Sequence, residues 1–273
     1  MSTRLLSCFR TLVAALLVSL ALVRPAAAVD WSDIWWNPAE AGWGVTFTQA
    51  DNFIFATFFV YDANKQPIWY TGNMTVDANG VWSGPLYLTN GSFYGDPWDP
   101  SKLTQNQVGT VTFRPANGSA NSYSGTLTYN VGGTNVTKQI QRQTLTTIPG
   151  AGNYSGAVLS IFSGCDNPAN NGPVTYFSNL TVAQVVGGAM TFSFTGFTAD
   201  SSFTFVIAGT YVQNGQLYRV PNANYAAGNF NFAAVVSEVK VTSQGIEGRW
   251  TASVAPAFAG CVENAYFSQL FIN

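Results

Sequence analysis

The chain has 273 residues, 47% hydrophobic and only 9% charged, with 11 basic and 13 acidic side chains, a formal net charge of −2 and no histidine. The missing imidazole removes Ser-His-Asp and Cys-His nucleophiles, His-ligated zinc, and any group whose unperturbed pKa lies near neutrality. Lys and Arg are scattered singly, so counterion release has no basic patch to act through and no nucleic-acid partner is expected.

Arg4 and Arg10 precede an apolar run from Thr11 to Val23, then Pro25 and Ala26-Ala27-Ala28. That is the order of a secretory signal peptide, with cleavage expected after Ala28. The run is short for a bilayer, and no later stretch approaches the roughly 20 apolar residues of a spanning helix, so no transmembrane segment is expected. Without residues 1–28, eight basic residues stand against thirteen acidic ones, a net charge of −5. The expectation is an exported protein, periplasmic or extracellular, with a neutral surface of Ser, Thr, Asn and Gln.

Trp43, Val45 and Phe47, then Phe53, Phe55, Thr57, Phe59 and Tyr61, alternate at period two, the signature of half-buried strands. Asp62-Ala63-Asn64-Lys65-Gln66-Pro67 reads as a turn, Ile68-Trp69-Tyr70 resumes the extended pattern, and Asp77-Ala78-Asn79-Gly80 leads into a strand from Val81 to Leu88. Further strands are predicted at 107–114, 122–131 and 134–143. A Thr/Pro/Gly stretch around 145–152 has no periodicity and marks a boundary. The predicted organisation is a Trp-rich β domain at 29–147, a linker at 148–152 and a second β domain at 153–273.

In the second half, strands are predicted at 154–162, 174–186, 189–197, 203–211, 216–220, 230–236, 238–242, 246–254 and 265–271, with turns at Gly187-Gly188, Asn214-Gly215 and Gln244-Gly245. Seven of eight tryptophans precede the boundary, while Cys165 and Cys261 follow it. Aromatic burial is expected to stabilise one half and a covalent staple the other. After loss of Cys8 with the leader, Cys165 and Cys261 are an even pair in an oxidising compartment, and a disulfide between them is predicted.

Strands joined mainly by tight turns make a meander. The predicted fold is therefore all-β, two antiparallel domains that are up-and-down barrels of the lipocalin type, with β-sandwiches as the alternative.

Two acidic motifs invite chemistry. Asp96 and Asp99 in Gly95-Asp96-Pro97-Trp98-Asp99-Pro100 have the residue type of a glycosidase carboxylate pair, with Trp98 placed to stack on a sugar, although Asp-Pro steps mark rigid loops far more often. Asp62-Ala63-Asn64 and Asp77-Ala78-Asn79-Gly80 resemble the opening of a calcium loop but lack its twelfth-position Glu. No metal, cofactor or catalytic residue is predicted.

The segment Trp35-Trp36-Asn37-Pro38-Ala39-Glu40-Ala41-Gly42-Trp43-Gly44, followed by Tyr61-Asp62-Ala63 and Pro67-Ile68-Trp69-Tyr70, is the most distinctive feature. It resembles a pattern recurring in exported proteobacterial proteins: Trp-Trp-Asn-Pro-Xaa-Glu-Xaa-Gly-Trp-Gly, a Phe-rich strand, then Tyr-Asp-Ala and a short turn to Pro-Xaa-Trp-Tyr. The match covers about residues 31 to 88. The resemblance implies an exported β domain and brings no activity and no binding residue with it.

Read from the residues, such tryptophans fill a core or form a stacking platform. The leading functional expectation is a non-catalytic binding or surface-interaction protein, with carbohydrate suited to exposed aromatics. Trp35, Trp36, Trp69, Tyr70 and Trp98, with Asp96 and Asp99, are the candidate ligand-binding residues, and alternation lets at most half of the strand aromatics share a face. The alternatives are a carrier of a small apolar ligand, with Phe53, Phe55, Phe58 and Phe59 lining a barrel cavity, and a glycoside hydrolase using carboxylates alone. The loops around Cys165 and the segment Gly260-Cys261-Val262-Glu263 are expected to be stapled together at one end of the fold, chiefly for stability.

Overall fold

The period-two runs form antiparallel strands throughout the computed structural model, which describes residues 29–116, 122–253 and 260–272. The expected leader, residues 1–28, lies outside these. Eight strands close the first barrel: β1 (Asp33–Trp36), β2 (Gly44–Ala50), β3 (Phe53–Tyr61), β4 (Pro67–Val76), β5 (Trp82–Asn90), β6 (Thr104–Pro115), β7 (Ser124–Val131) and β8 (Thr134–Arg142). Each pairs with its sequence neighbour, and β1 pairs with β8 through Trp35↔Arg142 and Trp36↔Gln141 to complete the ring. Closure leaves no unpaired edge, which is why a meander of this length becomes a barrel.

The second barrel is built from β9 (Gly152–Ser163), β10 (Gly172–Gln184), β11 (Ala189–Phe197), β12 (Ser202–Thr210), β14 (Leu217–Ala227), β15 (Phe230–Val241), β16 (Gly245–Ser253) and β17 (Val262–Ile272). The short β13 (Val212–Asn214) flanks β14, and the ring closes through β12–β14 pairing at Val206↔Ala226, Ile207↔Tyr225 and Ala208↔Asn224. Both halves are therefore barrels, and the sandwich alternative is discarded.

Two strand expectations are corrected. The strand predicted to stop at Val220 runs on to Ala227, with register shifts that seat Pro221 between Val220 and Ala223. At such a bulge the missing proline N–H interrupts no ladder bond. The strands predicted at 230–236 and 238–242 are one strand, broken in register between Ser237 and Lys240, with Glu238 at φ 53°. The freed Glu238 N–H donates to the Tyr123 hydroxyl at 2.8 Å, so the bulge serves contact with the first barrel.

Inward positions of the first barrel carry Trp35, Val45, Phe47, Ile54, Phe58, Met74, Leu86, Val111, Phe113 and Leu127, all buried. Trp35 packs edge-on to Phe113 with ring centres 5.2 Å apart, and Phe47 and Phe113 meet at 5.0 Å. The second barrel has an equally aromatic core: Phe194 stacks on Phe205 at 4.8 Å, and Trp250 touches Phe194, Phe205 and Phe267. The expected contrast between an aromatic half and a stapled half is thus corrected. Counting tryptophans overlooked the phenylalanines that fill the second barrel at alternate positions.

The barrels meet through buried polar groups. Arg142 Nη1 pairs with Asp33 Oδ2 at 3.1 Å, both side chains almost fully buried, and Arg142 Nε donates to the Ser122 carbonyl at 2.6 Å. Asp33 Oδ2 also accepts the Gln216 N–H of the second barrel at 3.1 Å. Gly215, at φ 62°, lies so close that a Cβ there would stand 2.1 Å from Asp33 Oδ2, so only glycine fits. Arg219 covers the Tyr123 ring at 4.9 Å, a cation–π contact across the same junction.

Candidate ligand-binding site

Strand direction assigns the loops to ends. In the second barrel the junction residues Gly215, Gln216 and Arg219 lie at the start of β14. The opposite end gathers the end of β9, the start of β10, the β11–β12 loop, the end of β14 and the start of both β15 and β17. A cavity of about 580 Å³ opens there, away from the first barrel. Phe203, Phe205, Tyr176, Tyr225 and Phe230 line it, and Glu263 is its one carboxylate. That volume suits a small molecule enclosed by apolar walls with a single polar anchor.

Alternation explains how the strands make the walls. Tyr176 lies on the inward phase of β10, and Phe203 and Phe205 lie on that of β12. Gly196 opposite Phe203 has no side chain, so the Phe203 ring lies across it; a Cβ there would meet that ring at 2.4 Å. Tyr176 meets Phe203 edge-on at 5.0 Å, and Tyr225 meets Phe205 at 5.0 Å. These rings form the aromatic part of the cavity wall.

Glu263 shares the inward phase of β17 with Ala265, Phe267 and Gln269, and is only 2% exposed. The disulfide Cys165–Cys261 joins the loop after β9 to the residue before β17, two positions from Glu263. It therefore ties the carboxylate strand to its neighbour at the cavity mouth. By the chain-entropy relation a closed loop of this length contributes about 4 to 5 kcal/mol.

The Ser160 hydroxyl donates to Glu263 Oε1 at 2.6 Å. Oε2 is buried without a hydrogen bond of full geometry, as is the indole Nε1 of Trp250, although that indole and the Tyr225 hydroxyl lie close enough to favour the charged carboxylate. Burial pushes the Glu263 pKa above the ordinary carboxylate range, against the opposing influence of Ser160, Trp250 and Tyr225. Burial also raises the Tyr176 and Tyr225 phenols, reinforced by the Glu263 charge. The phenols stay protonated and neutral, and among the described residues lining the cavity the carboxylate is the one other ionisable group.

The sequence-selected residues collect at one end of the first barrel but not on one surface. The loops 37–43, 62–66 and 91–103 share the end remote from Asp33 and Arg142. There Glu40 Oε2 accepts the Trp43 indole N–H at 3.1 Å and pairs with Lys138 Nζ at 2.6 Å. Lys138 first, through its hydrogen bond, holds the Glu40 carboxyl below its usual pKa. The motif is thereby latched to β8, a partnership the sequence reading did not find.

Trp35 is wholly buried beneath the Arg142 guanidinium, 4.9 Å from its ring, so it cannot belong to an exposed stacking surface. Trp36 takes the outward phase of β1, and its Nε1 is buried without a hydrogen bond. Trp69 is 47% exposed and lies opposite Phe59, itself 56% exposed. Tyr70 points inward beside it and its hydroxyl is raised by burial and by Asp62. Trp98 is 65% exposed and rests over Gly91.

Asp99 caps a single 3-10 turn, Pro100–Lys102, with Oδ1 accepting the Ser101 hydroxyl at 2.7 Å and the Ser101 N–H at 3.0 Å, contacts that lower its pKa. Asp96 is exposed, and its N–H donates to the Phe93 carbonyl at 3.0 Å. Asp62 and Asp77 likewise accept backbone N–H groups within their own turns. These are the jobs of loop-forming residues.

The notion that Phe53, Phe55, Phe58 and Phe59 line a cavity is also corrected. Of the four, Phe58 alone points inward, where its ring meets Tyr129 at 5.3 Å, because neighbours one, three or five apart on a strand cannot share a face with it. Phe53, Phe55 and Phe59 stand outside. No family model matches the chain, and no curated protein matches it significantly in sequence.

Proposed function

We propose that this chain is an exported, non-catalytic binding protein that holds a small ligand in the aromatic cavity of its second barrel. The observation carrying this reading is the cavity itself: about 580 Å³, walled by Phe and Tyr, with a buried carboxylate left one bond short. A wall of neutral phenols and phenyl rings supplies contact area, and one acid supplies orientation. Among the described lining residues there is no thiol, and the chain has no histidine. The leader-like segment 1–28 and the disulfide support export.

Trp250 makes the reading testable. It is the sole tryptophan after position 98 and packs against Phe205 and Tyr225, which line the cavity. Titration of aromatic ligands should give a saturable emission change that Trp250→Phe removes; calorimetry that finds no binding to any of them would reject the reading.

A second reading is favoured by the exposed Phe59–Trp69 pair, with Tyr94 and Trp98 in a loop at the same end of the first barrel. Such an aromatic surface suits glycan rings. Retention on polysaccharide that is lost in Trp69→Ala/Trp98→Ala, with cavity binding intact, would establish it as a separate site.

A further inference from the structure

We propose that the cavity of the second barrel selects an organic cation, an aromatic or alkyl amine whose ammonium group is received by Glu263 Oε2. This rests on the cavity being a ligand site and adds the charge of its ligand. Three observations on different parts of the barrel lead to it.

The first is the unused oxygen. Glu263 lines the cavity with one carboxylate oxygen bonded by Ser160 and the other buried short of a hydrogen bond of full geometry, beside the Tyr225 hydroxyl and the Trp250 indole. A buried acceptor without a partner is costly, and an N–H-bearing cation is its strongest complement. The second is the wall. Tyr176, Phe203, Phe205 and Tyr225 line the space with aromatic rings, and ring faces attract a desolvated cation while giving no comparable attraction to an anion.

The third is the charge at the open end. The loops there carry Asp166 and Asp200, and their sequence contains no Lys or Arg. The only basic residues of the second barrel are Arg219, Lys240 and Arg249. Arg219 and Lys240 lie toward the junction end, and Arg249 is paired on the outer face with Glu238 at 3.1 Å. An approaching cation therefore meets carboxylates at the mouth and base of the cavity, whereas an anion meets them with nothing to offset the repulsion.

Glu263 is faced by Ser160 of β9, Tyr176 of β10, Tyr225 of β14 and Trp250 of β16, none of them charged at neutral pH. Where Glu263 is protonated in the free protein, binding of R–NH3+ displaces that proton to solvent and leaves a carboxylate–ammonium pair. The proton balance is one released for each acid neutralised.

The test uses the full exported chain and three probes of matched shape: naphthylethylamine, naphthylethanol and naphthylacetate. Calorimetry on the wild type should show the amine binding about tenfold or more tightly than the alcohol, as expected for a charge-assisted bond to a buried acid, with the acetate weakest. In Glu263→Gln the amine should lose its advantage over the alcohol, and a thermal midpoint at or above that of the wild type shows the barrel intact. Equal binding of amine and alcohol to the wild type, a preference for the acetate, or an amine preference that survives Glu263→Gln would each overturn the cation assignment while leaving the cavity as a site. Failure of all three probes to bind would remove the cavity reading and this inference with it.

Discussion

Ser160 and Glu263 meet inside the second barrel at 2.6 Å, a hydroxyl on β9 bonded to a carboxylate on β17, and the other carboxylate oxygen lacks a hydrogen bond of full geometry. The two strands are neighbours, and the disulfide beside them holds the register that brings the groups together. A buried acid with an incomplete set of partners costs stability, which supports the proposed reading of this barrel end as a ligand site.

Glu263→Gln should therefore stabilise the empty protein at neutral and alkaline pH. The folded pKa is raised by burial, so the stabilisation from protonating Glu263 is fully present below the unfolded carboxyl pKa and is lost as pH rises through the folded value. The excess thermal midpoint of the Gln variant over wild type should shrink as pH falls and grow as pH rises. Parallel midpoint curves across that range would mean that the acid is not buried in the folded state.

Breaking the junction should cost far more. Asp33→Ala leaves Arg142 buried without its carboxylate and strips the acceptor from the Gln216 N–H, a loss of about 3 to 5 kcal/mol for a buried pair opened on one side. Urea unfolding followed by fluorescence should show this, and Gly215→Val should reproduce part of it by forcing a Cβ against Asp33. Unchanged stability in Asp33→Ala would show that the barrels do not depend on each other through this contact.

Reduction of the disulfide, or Cys165→Ala/Cys261→Ala, should lower stability by about 4 kcal/mol. It should also weaken cavity binding, since the staple sits two residues from Glu263. Retained binding with lowered stability would confine the disulfide to a stabilising role.

Within the first barrel the tryptophans should divide by face. Trp35→Ala removes a ring from between Phe47, Phe113 and Arg142 and should cost about 3 to 5 kcal/mol. Trp69→Ala and Trp98→Ala, at exposed positions, should change stability by only about 0.5 kcal/mol. Denaturant midpoints of the three variants decide it, and a large loss at Trp98 would assign that loop to the core.

Alternation at Phe53 to Tyr61 and the Asx turns at Asp62 and Asp77 identified strands and their connections, because a strand's faces and a tight turn's dihedrals are local properties written in consecutive residues. The even pair Cys165 and Cys261 gave the disulfide for a comparably simple reason. The sequence puts Glu263 in the stapled loop before a strand at 265–271, whereas the strand starts at Val262 and sets the acid on the inward phase of Ala265 and Phe267. Tyr225 was missed because Pro221 suggests an end to the strand, whereas a register shift absorbs the proline and carries the strand onward to the cavity.

The amino-acid sequence by itself determined an all-β chain in two halves, devoid of imidazole chemistry and carrying one disulfide. Only the tertiary structure decided that both sheets close, that Trp35 is core while Trp69 is surface, that Lys138 latches Glu40, and that an aromatic cavity opens at the far end of the second barrel. The physical reason is that alternation fixes which residues share a face, but closure and register, set by contacts up to 183 residues apart such as Asp33 with Gln216, fix which of those faces pack together and which border a cavity.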